Sequence, residues 1–236
     1  MLHDRASISR HQGDSLRDLL SILAGSNLFY APRIAKSFSN IEAVTTDEFS
    51  SHFPMTTKQQ IVDDQAAHPP FGTNLTYPMS AYTRVSQTSG TSGQAIRWLD
   101  TPTSWNWMVE CWATVFERSG VTAEDRIFFA FSFGPFLGFW TGFNAGERVG
   151  ALCMPGGGMS TLARIEAIIG NAVTVVCCTP TMPSTWDRLQ RKVTSTLESP
   201  VSGPSSLPVN LEPPFPQPAL PSKVTGMAQR FGITTG

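Results

Sequence analysis

Apolar residues recur at helical spacing in one stretch before residue 82. Four leucines predict a short amphipathic helix over residues 15–23: Leu16, Leu19, Leu20 and Leu23. A second helix is predicted near residues 58–65, and the chain around it is polar and interrupted by proline. The loop HPPFGTNLTYP follows this second helix.

From residue 82 the pattern changes to short strands joined by a turn. Residues 83–87 and 95–99 each predict a strand, and the glycine turn at 90–93 between them makes a hairpin. Asp100-Thr101-Pro102 predicts a helix start, because proline at the first helical position loses no hydrogen bond. This helix stops at Gly120, and six residues form its apolar face: Trp105, Met108, Val109, Trp112, Val115 and Phe116.

Strands and helices then alternate. Residues 127–131, 151–154 and 173–178 predict buried strands, while 136–149 and 161–169 predict the helices between them. Such alternation is typical of a parallel sheet with helices on its faces. The predicted fold class is therefore α/β, with a mostly parallel sheet flanked by helices.

Composition removes several classes of function. The 236 residues include 17 basic and 18 acidic side chains, and a net charge of -1 argues against nucleic-acid or polybasic membrane partners. Four cysteines are too few for a disulfide-stapled secreted scaffold. The charged amino terminus does not resemble a secretory signal, so we expect a cytoplasmic protein. All four histidines precede Pro70 without ligand spacing, and we expect no metal site.

Residues 127–146 carry no charge and are long enough to be checked as a membrane span. The segment Ser-Phe-Gly-Pro at 132–135 interrupts the stretch, and phenylalanine stands where leucine and isoleucine would be usual. A buried strand, turn and helix is the preferred interpretation, and a membrane-associated protein is a third alternative for the function.

The segment QTSGTSGQ at 87–94 is chemically the most distinctive. Its glycines permit tight turns, and its hydroxyls and backbone N–H groups can surround phosphate oxygens. Taken alone, such a run is more often an ordinary flexible loop than a phosphate site, and it lacks the spacing of a Walker loop. Its place in a hairpin before a capped helix favours phosphate binding.

This segment resembles the phosphate-binding motif of adenylate-forming enzymes, usually [ST]SGTTGxP, and its surroundings resemble the phenylacetate-CoA ligase branch. The resemblance covers residues 27–181 and runs through co-linear blocks: FYAPRIA, PMTTKQQIVDDQ, HPPFGTNLTYP, YTRVSQTSGTSG, DRIFFAFSFGPFLGFW, MPGGGMS and VVCCTPT. It implies the N-terminal part of an AMP-binding large domain at 27–181. Residues 1–26 are predicted to be a helical extension, and the composition of residues 182–236 predicts a disordered tail.

The resemblance also implies an activity. A carboxylic acid attacks the α-phosphate of ATP, and coenzyme A then displaces AMP; Mg²⁺ would assist the first step. The residues implied to hold the β- and γ-phosphates are Thr88, Ser89, Gly90, Thr91, Ser92 and Gly93. Gln94-Ala95 stands where many relatives have Lys-Pro, so one cation is missing, and Arg97 is a candidate substitute.

Phe133, Gly134 and Phe136 match the place where the family builds its acid pocket. Phenylalanine gives an apolar wall for an aryl or hydrophobic acid, and glycine permits close approach to the backbone. We expect two of the three preceding phenylalanines, at 128, 129 and 131, to be core. The glycines at 156–158 are interpreted either as part of the same cleft or as a simple loop, and the cysteines at 177–178 as inert core thiols.

The tail is unlike the rest of the chain. Nine of the 18 prolines lie in residues 182–236, which have no helical or alternating period. The later motifs of the family are absent from it, including the metal-binding glutamate and the catalytic lysine. We therefore expect no catalytic residue here, an inactive chain, and self-association through an unpaired strand edge. The alternative is a non-catalytic nucleotide or acyl-CoA binding module with a proline-rich tail for SH3-like or WW-like partners.

The tail has a second interpretation, in which the reading frame has shifted by one base near Thr181. If the third base of each codon is joined to the first two bases of the next, residues 208–211 permit Gly-Glu-Pro-Gly. In the same frame residues 212–218 permit Ala-Ala-Ile-Pro-Ala-Thr-Arg, and residues 232–235 permit Asp-His-Tyr-Gly. Both motifs stand where the resembling family has them. We hypothesise that residues from about 182 onward are a frame-shifted product.

Sequencing of the DNA or transcript across the Thr181 codon tests this hypothesis. We expect a one-base change there to restore an open frame that encodes the GEPG and DHYG motifs. If no one-base change opens such a frame, the hypothesis is wrong.

Overall fold

The structure, a computed structural model, describes residues 4–90 and 93–178. These form two compact units that divide between Trp105 and Asn106. In chain order the elements are α1 (Arg5–Ser26), α2 (Ala31–Ser37), α3 (Thr46–His52), α4 (Lys58–Ala67), β1 (Arg84–Gln87), β2 (Arg97–Asp100), α5 (Pro102–Arg118), β3 (Arg126–Phe129), α6 (Leu137–Val149), β4 (Leu152–Pro155), α7 (Thr161–Gly170) and β5 (Val175–Cys177). Short 3-10 turns lie at Ile41–Ala43 and Met79–Ala81. The predicted tail at 182–236 lies outside the described residues.

Helix α1 confirms the predicted amphipathic helix but is much longer than residues 15–23. Its extra turns are polar, and they begin at a capping box in which the Asp4 carboxylate accepts a hydrogen bond from the backbone N–H of Ser7 at 2.7 Å. Leucine periodicity reports only the part of a helix that packs, so it did not mark the start of α1.

An aromatic and aliphatic cluster holds the first helices together. Its buried members are Leu20, Ile34, Phe38 and Val44. The rings of Phe38, Phe49 and Phe53 stack with centroid separations of 5.0 to 6.2 Å. This packing explains α2 and α3, which the apolar pattern did not predict: each has only seven residues, too few for a periodic signal.

Asn27 connects the end of α1 to the loop that follows α4. Its side chain is 1% exposed, and its Oδ1 accepts hydrogen bonds from the backbone N–H groups of Phe29 and Tyr30. Its Nδ2 donates to Asn74 and to the Thr76 hydroxyl, both at 3.0 Å. A buried amide with this many partners fixes the loop relative to α1.

Strands β1 and β2 form the predicted antiparallel hairpin, with Arg84 opposite Asp100 and Gln87 opposite Arg97. The predicted helix start after it is confirmed, because the Thr101 hydroxyl accepts a hydrogen bond from the Ser104 N–H at 3.1 Å.

In the second unit, β4, β3 and β5 form a parallel sheet in that order, which confirms the predicted α/β class. Central strand β3 pairs on both edges, with Ile127 opposite Cys153 on β4 and Val175 on β5. Phe128 of β3 packs with Ile168 of α7. No helix among residues 4–90 and 93–178 is long and apolar enough to cross a membrane.

Two glycines are required where the chain approaches the sheet. A Cβ on Gly146 of α6 would lie 2.5 Å from the Cys153 sulfur and 3.1 Å from Ile127. A Cβ on Gly156, directly after β4, would lie 2.6 Å from the Phe128 ring and 2.8 Å from the Phe129 carbonyl oxygen. Neither ring nor backbone can move away cheaply in a packed core.

We therefore expect Gly156→Ala to lower the free energy of unfolding by about 1–3 kcal/mol. The matched control is Gly170→Ala at the end of α7, where no atom lies within 4 Å of the added Cβ. This control should leave stability unchanged or raise it by less than about 1 kcal/mol. Urea titration followed by circular dichroism measures both, and equal stability of the two variants would contradict the close approach at Gly156.

Candidate functional site

The loop of the β1–β2 hairpin carries the predicted phosphate-binding residues. Gly90 and Gly93 have φ angles of +67° and +137°, which side chains other than hydrogen rarely permit. The Gly93 N–H donates to the Gly90 carbonyl at 3.0 Å and closes a turn. Thr91 and Ser92, also predicted to bind phosphate, lie outside the described residues.

Thr88 and Ser89 have different roles in this loop. The Thr88 N–H donates to the Ile96 carbonyl at 3.0 Å, and the Thr88 hydroxyl accepts from the Ile96 N–H at 2.9 Å. Thr88 therefore extends the hairpin ladder to the base of the loop. Ser89 is exposed, and its hydroxyl has no hydrogen-bond partner among the residues described.

Helix α4 anchors the hairpin through Gln65, a residue that the sequence analysis did not single out. Its side-chain amide donates to the Arg97 carbonyl at 2.7 Å and accepts from the Arg97 N–H at 3.1 Å, as a neighbouring strand would. The Arg97 guanidinium donates to the Pro70 carbonyl at 3.0 Å. These bonds fix the β2 side of the hairpin.

Beside this anchor lies a cleft of about 240 Å³, bordered by Gln65, Arg97 and the loop at 71–77. Asp100 also lines it and is 9% exposed. One Asp100 oxygen accepts a hydrogen bond from the Ser104 hydroxyl at 3.0 Å. The other, Oδ2, is buried without a partner among the described residues.

In the second unit, the predicted acid-pocket residues lie in the loop between β3 and α6. Phe133 is 9% exposed, and its ring centroid lies 4.7 Å from that of Trp140. Phe128 and Phe129 are fully buried while Phe131 is half-buried, which confirms that two of these three belong to the core.

Gly134 and Phe136 complete the turn of this loop. Gly134 is exposed with a φ of +47°, and the Phe136 ring lies 3.0 Å from the position of an added Cβ. The Trp140 indole N–H donates to the Gly134 carbonyl at 2.8 Å. Trp140 therefore holds the turn, and no sequence signal identifies it because its acceptor is a backbone carbonyl.

The glycines at 156–158 contact the same loop. The Gly156 N–H donates to the Phe129 carbonyl at 2.9 Å, and the position of a Gly157 Cβ is 3.5 Å from the Phe131 carbonyl oxygen. The phenylalanine loop at 131–136 and the glycine loop at 156–158 are thus neighbours at the carboxyl end of the sheet. In parallel α/β sheets this edge is where ligands bind.

Burial favours the protonated form of two thiols near these loops. Burial raises the pKa of Cys177 to about 12, with the neighbouring Cys178 and Cys153 thiols adding to the shift. Burial also raises the pKa of Cys153 to about 12. No group of three potential metal-ligating side chains occurs in the part of the chain that the structure describes.

Comparison with known proteins identifies the fold. No protein-family model and no curated protein matches the sequence significantly. The structure is similar to crystal structures of 2-hydroxyisobutyryl-CoA ligase. One of these structures shows that ligase in the thioesterification state with 2-HIB-AMP and CoA. It matches this chain with a TM-score of 0.75 and 20% sequence identity, over 82% of this chain and 41% of that chain. In an open conformation the TM-score is 0.74 at 19% identity, over 82% of this chain and 45% of that chain.

The described part of the chain therefore has the fold of the corresponding part of an acyl-CoA ligase. This likeness agrees with the predicted fold class. The chain spans less than half the length of the ligase structures it matches.

A thiol with a pKa of about 12 carries roughly one part in ten thousand of thiolate at pH 8. We therefore expect iodoacetamide at pH 8 to alkylate exposed Cys111 in the native chain long before Cys153 or Cys177. Peptide mass spectrometry over a time course gives the order, and unfolding in urea should remove the difference. Equal rates in the native chain would contradict the raised pKa of these two thiols.

Proposed function

We propose that the chain belongs to the lineage of AMP-forming acid-CoA ligases, in the phenylacetate-CoA ligase-like branch. In the first step a carboxylate oxygen attacks the α-phosphorus of ATP, and pyrophosphate leaves. In the second step the thiol of coenzyme A attacks the acyl carbon, and AMP leaves. The observation that carries the proposal is the glycine hairpin loop in a fold shared with a ligase that binds an acyl-adenylate and CoA.

On this proposal, the hairpin loop holds the β- and γ-phosphates. Gly90 and Gly93 let the backbone turn tightly enough for N–H groups to face an anion. Thr88 fixes the base of the loop, and the Ser89 hydroxyl is available to donate. Thr91 and Ser92 complete the proposed set from outside the described residues.

The proposed acid site uses Phe133, Gly134 and Phe136. The phenylalanine cluster supplies an apolar wall, and the exposed Gly134 turn leaves the backbone open to a ligand. This composition suits an aryl or hydrophobic carboxylic acid. The described residues contain no cluster of metal ligands, so we assign Mg²⁺ to none of them and derive no step through it.

The loop proposal is tested by Ser89→Ala. Loss of one hydrogen bond to a charged phosphate should raise the Kd for ATP by roughly tenfold. Because Ser89 is exposed, the melting temperature without ligand should not change. The matched control is Ser39→Ala, an exposed serine after α2, which should change neither quantity. Titration calorimetry measures the affinity, and equal ATP affinity in both variants would exclude Ser89 as a phosphate ligand.

Acid-dependent exchange of pyrophosphate into ATP tests the full reaction. We expect none from this chain alone, because the catalytic lysine and metal-binding glutamate of the family are absent from the sequence. Exchange above background would contradict that expectation. ATP binding without exchange would fit equally well with the alternative function, a non-catalytic nucleotide or acyl-CoA binding module.

A further inference from the structure

We propose that Arg164 is a positioning residue of the acid site: its guanidinium fixes the separation of the phenylalanine loop and the glycine loop. Arg164 lies on α7, outside every predicted site. The inference rests on the proposed function, because that function supplies the ligand of the acid site. The two Arg164 hydrogen bonds that carry it lie within the second unit.

Arg164 bonds to the ends of two neighbouring strands at once. Its Nε donates to the Gly156 carbonyl at 3.0 Å, directly after β4. Its Nη1 donates to the Ala130 carbonyl at 3.1 Å, directly after β3. These acceptors are eight and 34 residues away in sequence, so one side chain bridges the carbonyl groups that follow two paired strands, beside the hydrogen bond from the Gly156 N–H to the Phe129 carbonyl.

Each of the two carbonyl acceptors lies at the start of one of the loops. The phenylalanine loop at 131–136 starts after Ala130, and the glycine loop at 156–158 starts at Gly156. The two loops also touch, since a Cβ on Gly157 would be 3.7 Å from the Phe133 ring. A change in the distance between the two carbonyls therefore changes the wall of the proposed acid site.

The geometry requires arginine. A guanidinium is a rigid planar fork whose N–H groups point to two acceptors in fixed directions. Lysine would keep the charge and most of the stem, but its ammonium is a single rotating donor group on a flexible chain. Replacement by lysine thus separates the effect of the fork from the effect of the charge.

Arg126 provides a matched control, because it lies at the amino end of β3, whereas Arg164 bonds to the residue that follows the carboxyl end of β3. Arg126, like Arg164, is half-buried and donates through its Nε to a backbone carbonyl, that of Ala172, at 2.6 Å. This bond lies at the amino end of β3, away from both loops. Arg126→Lys loses a similar bond without disturbing the proposed acid site.

The first measurement is amide hydrogen exchange of the full chain without ligand, for wild type, Arg164→Lys, Arg164→Gln and Arg126→Lys. We expect exchange in the two loops to be faster by about tenfold in both Arg164 variants, with β3 still protected. Arg126→Lys should leave loop exchange unchanged. If Arg164→Lys and Arg126→Lys have the same loop exchange, the proposal is wrong.

The second measurement is the affinity for phenylacetate as a probe of the acid site. We expect Arg164→Lys to weaken binding by about tenfold and Arg126→Lys to leave it unchanged. Full affinity in Arg164→Lys with loss in Arg164→Gln would assign the effect to charge and overturn the positioning role. If wild type binds no phenylacetate, the proposed acid site fails, while the exchange data still decide whether Arg164 sets the loops.

Discussion

Burial of β3 on both faces and both edges is the constraint on which the second unit depends. Ile127, Phe128 and Phe129 are at most 1% exposed, and the strand pairs with β4 on one side and β5 on the other. Because β3 is enclosed in this way, the residues packed against it cannot become larger without displacing core atoms. Gly146 on α6 and Gly156 after β4 are the positions where the chain meets β3 without room for a side chain.

The parallel arrangement then determines where the loops lie. Because β3 and β4 run in the same direction, the segments that follow them leave the sheet at one edge. The phenylalanine loop and the glycine loop meet there, with Trp140 bonded to one and Arg164 to the bases of both. The position of the proposed acid site therefore follows from the topology, and its backbone turns are held by residues on the crossover helices α6 and α7.

Sequence alone was sufficient for most elements after residue 82, since alternating strands and amphipathic helices bury one periodic face each. It was insufficient for α2, α3 and the first turns of α1, whose stability comes from caps and from contacts between rings such as Phe38 and Phe53. Gln65, Trp140 and Arg164 were missed for a related reason. Each binds a main-chain group, and main-chain acceptors have no counterpart in a residue pattern. The phosphate and acid residues predicted from the family resemblance stay predictions.

The hairpin loop raises a separate question of charge. Many members of the family that this loop resembles have lysine after the glycines, whereas this chain has Gln94 and then Ala95. Arg97 follows closely, but one of its guanidinium nitrogens already binds the Pro70 carbonyl, and its main chain is tied to Gln65. Arg97 therefore contributes to holding the hairpin in place. Phosphate recognition by this loop would depend mainly on oriented N–H and hydroxyl dipoles, which act only at short range and in fixed directions. A loop of that kind needs a rigid base, and the bonds made by Thr88 and Gln65 provide one.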